Sequence, residues 1–307
     1  MAYISQLEDP TISTEAFLDA MQQSILTVQA GVAGRTSAKH VKDVLRNTLY
    51  ELEAQAKNQG LIGRPTGLQR LDKATGGIRD CELFSIAARS GRGKTALGVQ
   101  ILLANGRAGI PACAFSIEMQ ETEIGKRILA ARSGKVPAIQ LRNPQSIAND
   151  GWRDLAQTSG EVSEWPIWID DSASLTLAQL IAKATLYVKR HGIRTFIVDY
   201  VRLVTKAPGR ELCERIANIA DALRQFAKRE HVAVVLLSQL RKASKRYEND
   251  PPTTADIKET GDIESHLHVV LLIHLPVAED QSIDPEGQRL ILGKNRKGGS
   301  KCDSGET

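Results

Sequence analysis

ARSGRGKT, residues 88–95, follows a short apolar run (LFSIA, 83–87) and opens a helix-like stretch (96–104). A glycine-rich turn between strand and helix aims several backbone N–H groups and the positive end of a helix dipole at one point, which suits a polyphosphate. Ala88, Arg89, Ser90, Gly91, Arg92 and Gly93 form this loop; Lys94 adds a point charge for β- and γ-phosphates, and the Thr95 hydroxyl can ligate magnesium. Ala88 stands where the pattern G-x-x-x-x-G-K-[ST] has its first glycine. A basic surface turn is the competing reading, and the flanking sequence discriminates between the two.

Outward from the loop, β-branched runs alternate with amphipathic ones. Candidate strands are 83–87, 112–117, 167–169, 195–198, 232–237, 269–273 and 289–292, with helical segments such as 177–190 and 212–229 between them. Buried strands alternating with helices imply a mostly parallel sheet covered on both faces, an α/β nucleotide-binding architecture. Residues 240–255 and 276–288 read as loops.

Residues 1–62 differ from this pattern and read as a separate helical region, with 63–307 as the α/β domain. Phe17, Met21, Ile25 and Val28 recur at helical spacing; Val41, Val44, Leu45, Leu49 and Leu52 do so again after a glycine-rich break, with Ser37 as N-cap and Gly60 as stop. Two such helices cannot bury both apolar faces alone, so they pack either on the α/β domain or on a second subunit.

The chain is 42% hydrophobic and 25% charged, which excludes a disordered or fibrous class. No run approaches the ~20 apolar residues of a membrane span, and the N-terminus shows no leader pattern, so the expected location is cytoplasmic, with no membrane partner. The scattered Cys81, Cys113, Cys213 and Cys302 read as free thiols. A net charge of +4 says little about nucleic acid, so local clusters matter instead.

Several residues then acquire chemical roles. TFIVDY (195–200) places Asp199 after apolar strand residues, either as a magnesium carboxylate or as a strand-end cap. FSIEM (115–119) ends another strand in Glu118, placed to polarise an attacking water or to begin the next helix. Gln239, after the strand 232–237, either contacts a γ-phosphate or caps. Arg241, Lys242, Lys245 and Arg246 follow it, ahead of Tyr247, a composition suited to a nucleic-acid backbone, although a solvated charged loop is the default reading of such a run. Lys294 and Arg296 lie in GKNRKGG (293–299), a glycine-rich turn expected to aim them outward, where an arginine can reach a phosphate bound to an adjacent subunit.

With PTGLQRLDKATGG, ARSGRGKT, FSIEM, IDDSASLTLAQLIAKA, IVDYVRLV, LRQFAKRE, LSQL, DIKETGDIE and GKNRKGG in order, the chain resembles the motor domain of DnaB-type replicative DNA helicases. FLDAMQQSILTVQAG and HVKDVLRNTLYELEAQ resemble the linker region before that motor. The resemblance implies a RecA-like P-loop NTPase domain that uses ATP and Mg2+ and assembles as a homo-oligomeric, hexameric ring around single-stranded DNA to unwind forked duplex. Lys94 and Thr95 would hold phosphates and magnesium, and Asp199 would hold magnesium through water. Glu118 would activate the attacking water, and Gln239 would link the γ-phosphate to a DNA loop. Lys294 and Arg296 would complete a neighbour's site, the linker helix at about 38–57 would dock on the adjacent motor, and Arg202, Arg241, Lys242, Lys245 and Arg246 would face DNA.

Some positions depart from the family. Its N-terminal primase-binding domain has no counterpart, which suggests a phage or prophage type and puts a primase partnership in doubt. Arg202 replaces a glutamine, His266 and His268 replace aspartates, and Cys81 replaces a glycine in a turn where φ > 0 is expected to be strained. The chain stops soon after Arg296, leaving it on a hairpin without the family's following strand. An alternative function is therefore a truncated subunit that binds, loads or inhibits a host helicase ring. Another RecA-like ATPase, a recombinase or a clock-type enzyme, fits FSIEM and DIKETGDIE less well.

Overall fold

The strand Leu83–Ala88 (β1) is buried at all six positions. Its residues divide by parity, as a strand's two-residue period requires: Leu83 and Ala87 join one apolar core, and Phe84, Ile86 and Ala88 another on the opposite face. Ala233–Gln239 (β5) divides likewise, Val234 and Leu236 facing the first core and Val235 and Leu237 the second. A strand apolar on both faces belongs inside a sheet covered by two helical layers.

The computed structural model describes residues 40–57, 61–199, 204, 209, 211–240, 250–257, 263–276 and 287–296. The chain divides into two compact units, Met1–Gln59 and Gly60–Thr307. In the first unit, helix α1 (Val41–Lys57) exposes Val41, Val44, Leu45, Leu49 and Leu52. The helix expected over 17–28 lies outside the described residues, as do Ser37 and Gly60.

In the second unit the elements run α2 (Gln69–Thr75), β1, α3 (Lys94–Arg107), β2 (Ala112–Ser116), α4 (Glu121–Arg132), α5 (Asn149–Ser163), β3 (Ile167–Asp170), α6 (Leu177–His191), β4 (Thr195–Asp199), α7 (Leu212–Glu230), β5, the single turn α8 (Ile263–His266), β6 (Val269–His274) and β7 (Arg289–Asn295). The sheet order is β3-β2-β4-β5-β1-β6-β7. Every pairing is parallel except β6 with β7. The α/β, mostly parallel arrangement expected from the sequence is therefore present. Among the described residues no helix is long and apolar enough to cross a membrane.

One core is tied together by a row of rings. Tyr187, Phe115 and Phe196 stack at 5.9 Å spacings, and Phe196 meets Phe226 edge-on at 5.6 Å. On the other face α3 lies close over β4 and β5 at Gly98, where a Cβ would come within 3.1 Å of Leu237 and 3.5 Å of Ile197. That close approach fixes where the start of α3 meets the ends of those strands.

The structure lengthens and adds to the expected elements. Helix α3 begins at Lys94, not at 96, and β7 continues through Gly293 and Lys294 to Asn295. A bulge between Val270 and Leu271 lets β7 skip Gly293, where a side chain would meet Thr254 at 2.8 Å. Helices α4 and α5 enclose a satellite core of Val136, Leu141, Ile147 and Leu155. Cys81 does adopt the left-handed backbone at φ 64°, and its Sγ lies 3.6 Å from Nδ1 of His231, itself at φ 53°. Cys81, Cys113 and Cys213 are free thiols, while Cys302 lies outside the described residues.

Candidate active site at the carboxyl edge of the sheet

Ala88 needs no glycine because it closes β1 as an ordinary strand residue, 1% exposed and in register with Gln239 and Ile273. The bend comes later, at Gly91 (φ 73°) and Gly93 (φ 89°), the latter capping α3. Among the described residues, no heavy atom beyond the chain neighbours lies within 4 Å of where a Cβ would stand on either glycine. A side chain there would be opposed by backbone strain of about 1–2 kcal/mol, not by a neighbour. The loop is thus an open cradle at the N-terminus of a 14-residue helix, a setting that favours an anion.

Asp199 closes β4 and is 4% exposed. Its strand is not adjacent to β1, since β5 lies between them. Contact is made instead over the end of β5 by α3: Lys94 Nζ donates to Asp199 Oδ1 at 2.9 Å and Thr95 Oγ1 donates to Oδ2 at 2.7 Å. The Thr95 hydroxyl and the Asp199 carboxylate are hard oxygen donors of the kind magnesium takes, directly or through water. Loop, lysine and oxygen pair therefore fit a magnesium-bound nucleotide.

Glu118 lies in the turn between β2 and α4, two residues beyond Ser116, which pairs with Asp199. The Ile117 N–H also donates to the Asp199 carbonyl at 2.8 Å, so the exposed Glu118 emerges at the same edge as Asp199. Gln239 ends β5 at the level of Ala88 and is only partly buried, while Leu240 N–H donates to the Ala88 carbonyl at 3.0 Å. Lys94, Thr95, Asp199, Glu118 and Gln239 thus gather at one edge.

Lys294 and Arg296 do not join them. Because β7 runs antiparallel, Asn295 pairs with Val269, which pairs with Phe84 at the opposite end of β1. Four residues of strand, about 13 Å, separate that level from Ala88. Lys294 is a strand residue and only Arg296 lies past the strand end, a correction to the expected turn. Nor does Arg296 lack support: its N–H donates to the His268 carbonyl at 3.0 Å and its guanidinium to the Ser265 carbonyl at 2.5 Å. The substituted histidines have contacts of their own, His266 Nδ1 lying 3.2 Å from Asp221 and His268 Nδ1 accepting the Leu83 N–H at 3.0 Å. Arg202, Arg241, Lys242, Lys245 and Arg246 lie outside the described residues.

Sequence reasoning missed a second polar cluster at the carboxyl edge. Asp170, 8% exposed at the end of β3, accepts from Lys183 Nζ at 2.8 Å, Tyr187 OH at 2.7 Å and both the N–H and hydroxyl of Ser172 at 3.1 and 2.6 Å. Burial opposes its ionisation, but the hydrogen bonds from Lys183, Ser172 and Tyr187 outweigh it and hold the carboxyl at about 2. Burial and the bond to Asp170 push Tyr187 up to about 12. The signal was a doubled aspartate after a strand, with Lys183 and Tyr187 spaced four apart on one helix face.

Because the Asp170 value lies below its ordinary 3.8, its contribution is complete above about pH 4 and is lost as pH falls toward 2. Asp170→Asn is expected to cost about 1–2 kcal/mol near neutrality, allowing for screening at the partly exposed Lys183. Urea midpoints measured against pH should show the gap from the parent protein closing between about pH 4 and 2.

The family described as the DnaB-like helicase C terminal domain matches residues 63–302. The replicative DNA helicase DnaB of Leifsonia xyli is 31% identical over 283 residues, spanning 89% of this chain and 62% of that protein. The DnaB of Treponema pallidum is 32% identical, spanning 94% of this chain and 66% of its own length. The chain thus spans about two thirds, or slightly less, of these curated relatives. A solved structure described as an ATPase domain is 25% identical, with a TM-score of 0.74, and the match covers 85% of this chain and 93% of that one. A DnaB-like replicative helicase, solved with attention to its interactions with primase, shares the fold at 24% identity and a TM-score of 0.72, over 90% of this chain and 67% of that one. With the matched residues carrying both the sheet and the Lys94–Asp199 cradle, the chain belongs to the DnaB-like helicase C-terminal domain family.

Proposed function

We propose that this chain is an ATP-hydrolysing motor that assembles as a hexameric ring, moves along single-stranded DNA and unwinds forked duplex. The observation that carries the reading is the split site: Lys94, Thr95, Asp199 and Glu118 stand at one edge of the sheet, and Arg296 at the other. This separation supports a site in which Arg296 serves the triphosphate of a neighbouring subunit and not its own.

Each residue has a distinct task. The loop 88–93 wraps the phosphates, and Lys94 exchanges its contact with Asp199 for the charge developing on the transferred phosphoryl group. Thr95 directly, and Asp199 through water, would hold magnesium, which would neutralise phosphate charge. Glu118 orients the attacking water and takes its proton. Lys294 and Arg296 approach a neighbour's nucleotide, Arg296 releasing the Ser265 carbonyl to do so. Gln239, with Arg241, Lys242, Lys245 and Arg246 directly after it, couples the phosphate to the DNA strand, aided by Arg202. The exposed apolar face of α1 is covered by an adjacent subunit.

The test is ATP turnover with Mg2+, with and without single-stranded DNA, alongside unwinding of a forked duplex. DNA-stimulated turnover with unwinding is expected. Nucleotide binding without turnover would instead favour an incomplete subunit that joins or inhibits a host ring.

A further inference from the structure

The turn carrying Glu118 is held at three points. Ser116, 2% exposed, pairs with Asp199 at the start of the turn. Within it, the Ser116 hydroxyl donates to the Met119 carbonyl at 2.7 Å. At its far end stands the N-terminus of α4, whose N-cap residue, Gln120, makes no side-chain cap bond. The acceptor comes from another element: Asp171 Oδ2 takes the Glu121 N–H at 3.1 Å.

Asp171 is itself well placed to hold that end. It directly follows Asp170, which pairs in register with Phe115 of β2 and is fixed by Lys183, Ser172 and Tyr187. A chain of bonds thus runs from α6 through Asp170 and Asp171 to α4, and α4 is joined to Glu118 by only Met119 and Gln120. A carboxylate that must orient a water benefits from such support, because a small displacement of a catalytic group costs rate while leaving substrate binding intact.

We propose that Asp171 is a positioning residue for ATP hydrolysis, its carboxylate capping α4 from the β3–α6 connection and so fixing the turn that carries Glu118. The inference rests on Glu118 being the water-activating carboxylate. Asp171 is exposed and touches no residue of the phosphate loop in the bonds described, so its influence on turnover runs through the turn alone.

The experiment compares Asp171→Ala, Asp171→Asn and Glu118→Gln, singly and with Asp171→Ala added to Glu118→Gln, in the full chain. Asp171→Ala is expected to lower kcat about tenfold while KM for ATP and the Kd of a non-hydrolysable ATP analogue stay within about twofold. Asp171→Asn keeps an acceptor oxygen for the Glu121 N–H and should retain turnover within about twofold of the parent. Added to Glu118→Gln, Asp171→Ala should cause no further loss in single-turnover measurements, since there is no carboxylate left to position. Unfolding midpoints establish that each variant is folded. Parental kcat in Asp171→Ala, a rise in KM or Kd matching the fall in kcat, or an undiminished loss in the Glu118→Gln background would each overturn the proposal. Parental turnover in Glu118→Gln defeats the assignment of Glu118 instead, which separates the two failures.

Discussion

Lys94→Ala is expected to lower ATP turnover at least about a hundredfold, because it removes the only cation that the structure places against Asp199 among the described residues, where the proposed mechanism puts the transferred phosphate. The lysine and aspartate side chains are 15% and 6% exposed, so their pairing is weakly screened. Truncation leaves Asp199 with the Thr95 hydroxyl, and roughly 1–3 kcal/mol of stability should be lost with it. Steady-state turnover and a thermal midpoint on the same preparation distinguish lost chemistry from lost fold. A folded variant that hydrolyses ATP at the parental rate would remove the phosphate loop from the mechanism.

Arg296→Ala should have a comparable effect for a different reason. On the proposed reading Arg296 meets charge that develops only in the transition state, and inserted arginines that do so contribute about a thousandfold or more to phosphoryl transfer. Arg296 is far from its own phosphate loop, at least about 13 Å down the sheet by strand rise. Its loss should therefore spare nucleotide binding, with the Kd for ATP within a few-fold of the parent, while turnover falls. A matching loss of affinity would mean that Arg296 binds nucleotide in the ground state.

The parts of this site that could be read in the sequence are those with a local cause. A glycine-rich turn between an apolar strand and a helix needs no tertiary information, and Asp199 at the end of TFIVD is visible for the same reason. The strain at Cys81 was legible too, because a turn calling for φ > 0 without glycine leaves one outcome. The interposition of β5 between the strands of Ala88 and Asp199 was not, since strand order is set by how helices cross the sheet. The placement of Lys294 within β7 escaped notice because Gly293 reads as a turn residue until the bulge absorbs it. The cap from Asp171 onto α4 joins residues 50 apart in sequence, and neither end carries a local sign of the other.

The most direct test of a site shared between subunits mixes Lys94→Ala with Arg296→Ala protein. Each alone should be inactive, but in mixed oligomers the intact phosphate loop of one variant can face the intact arginine of the other. The account predicts that ATP turnover appears on mixing, at a level well above the sum of the separate preparations. Turnover equal to that sum, in oligomers shown to exchange subunits, would contradict it.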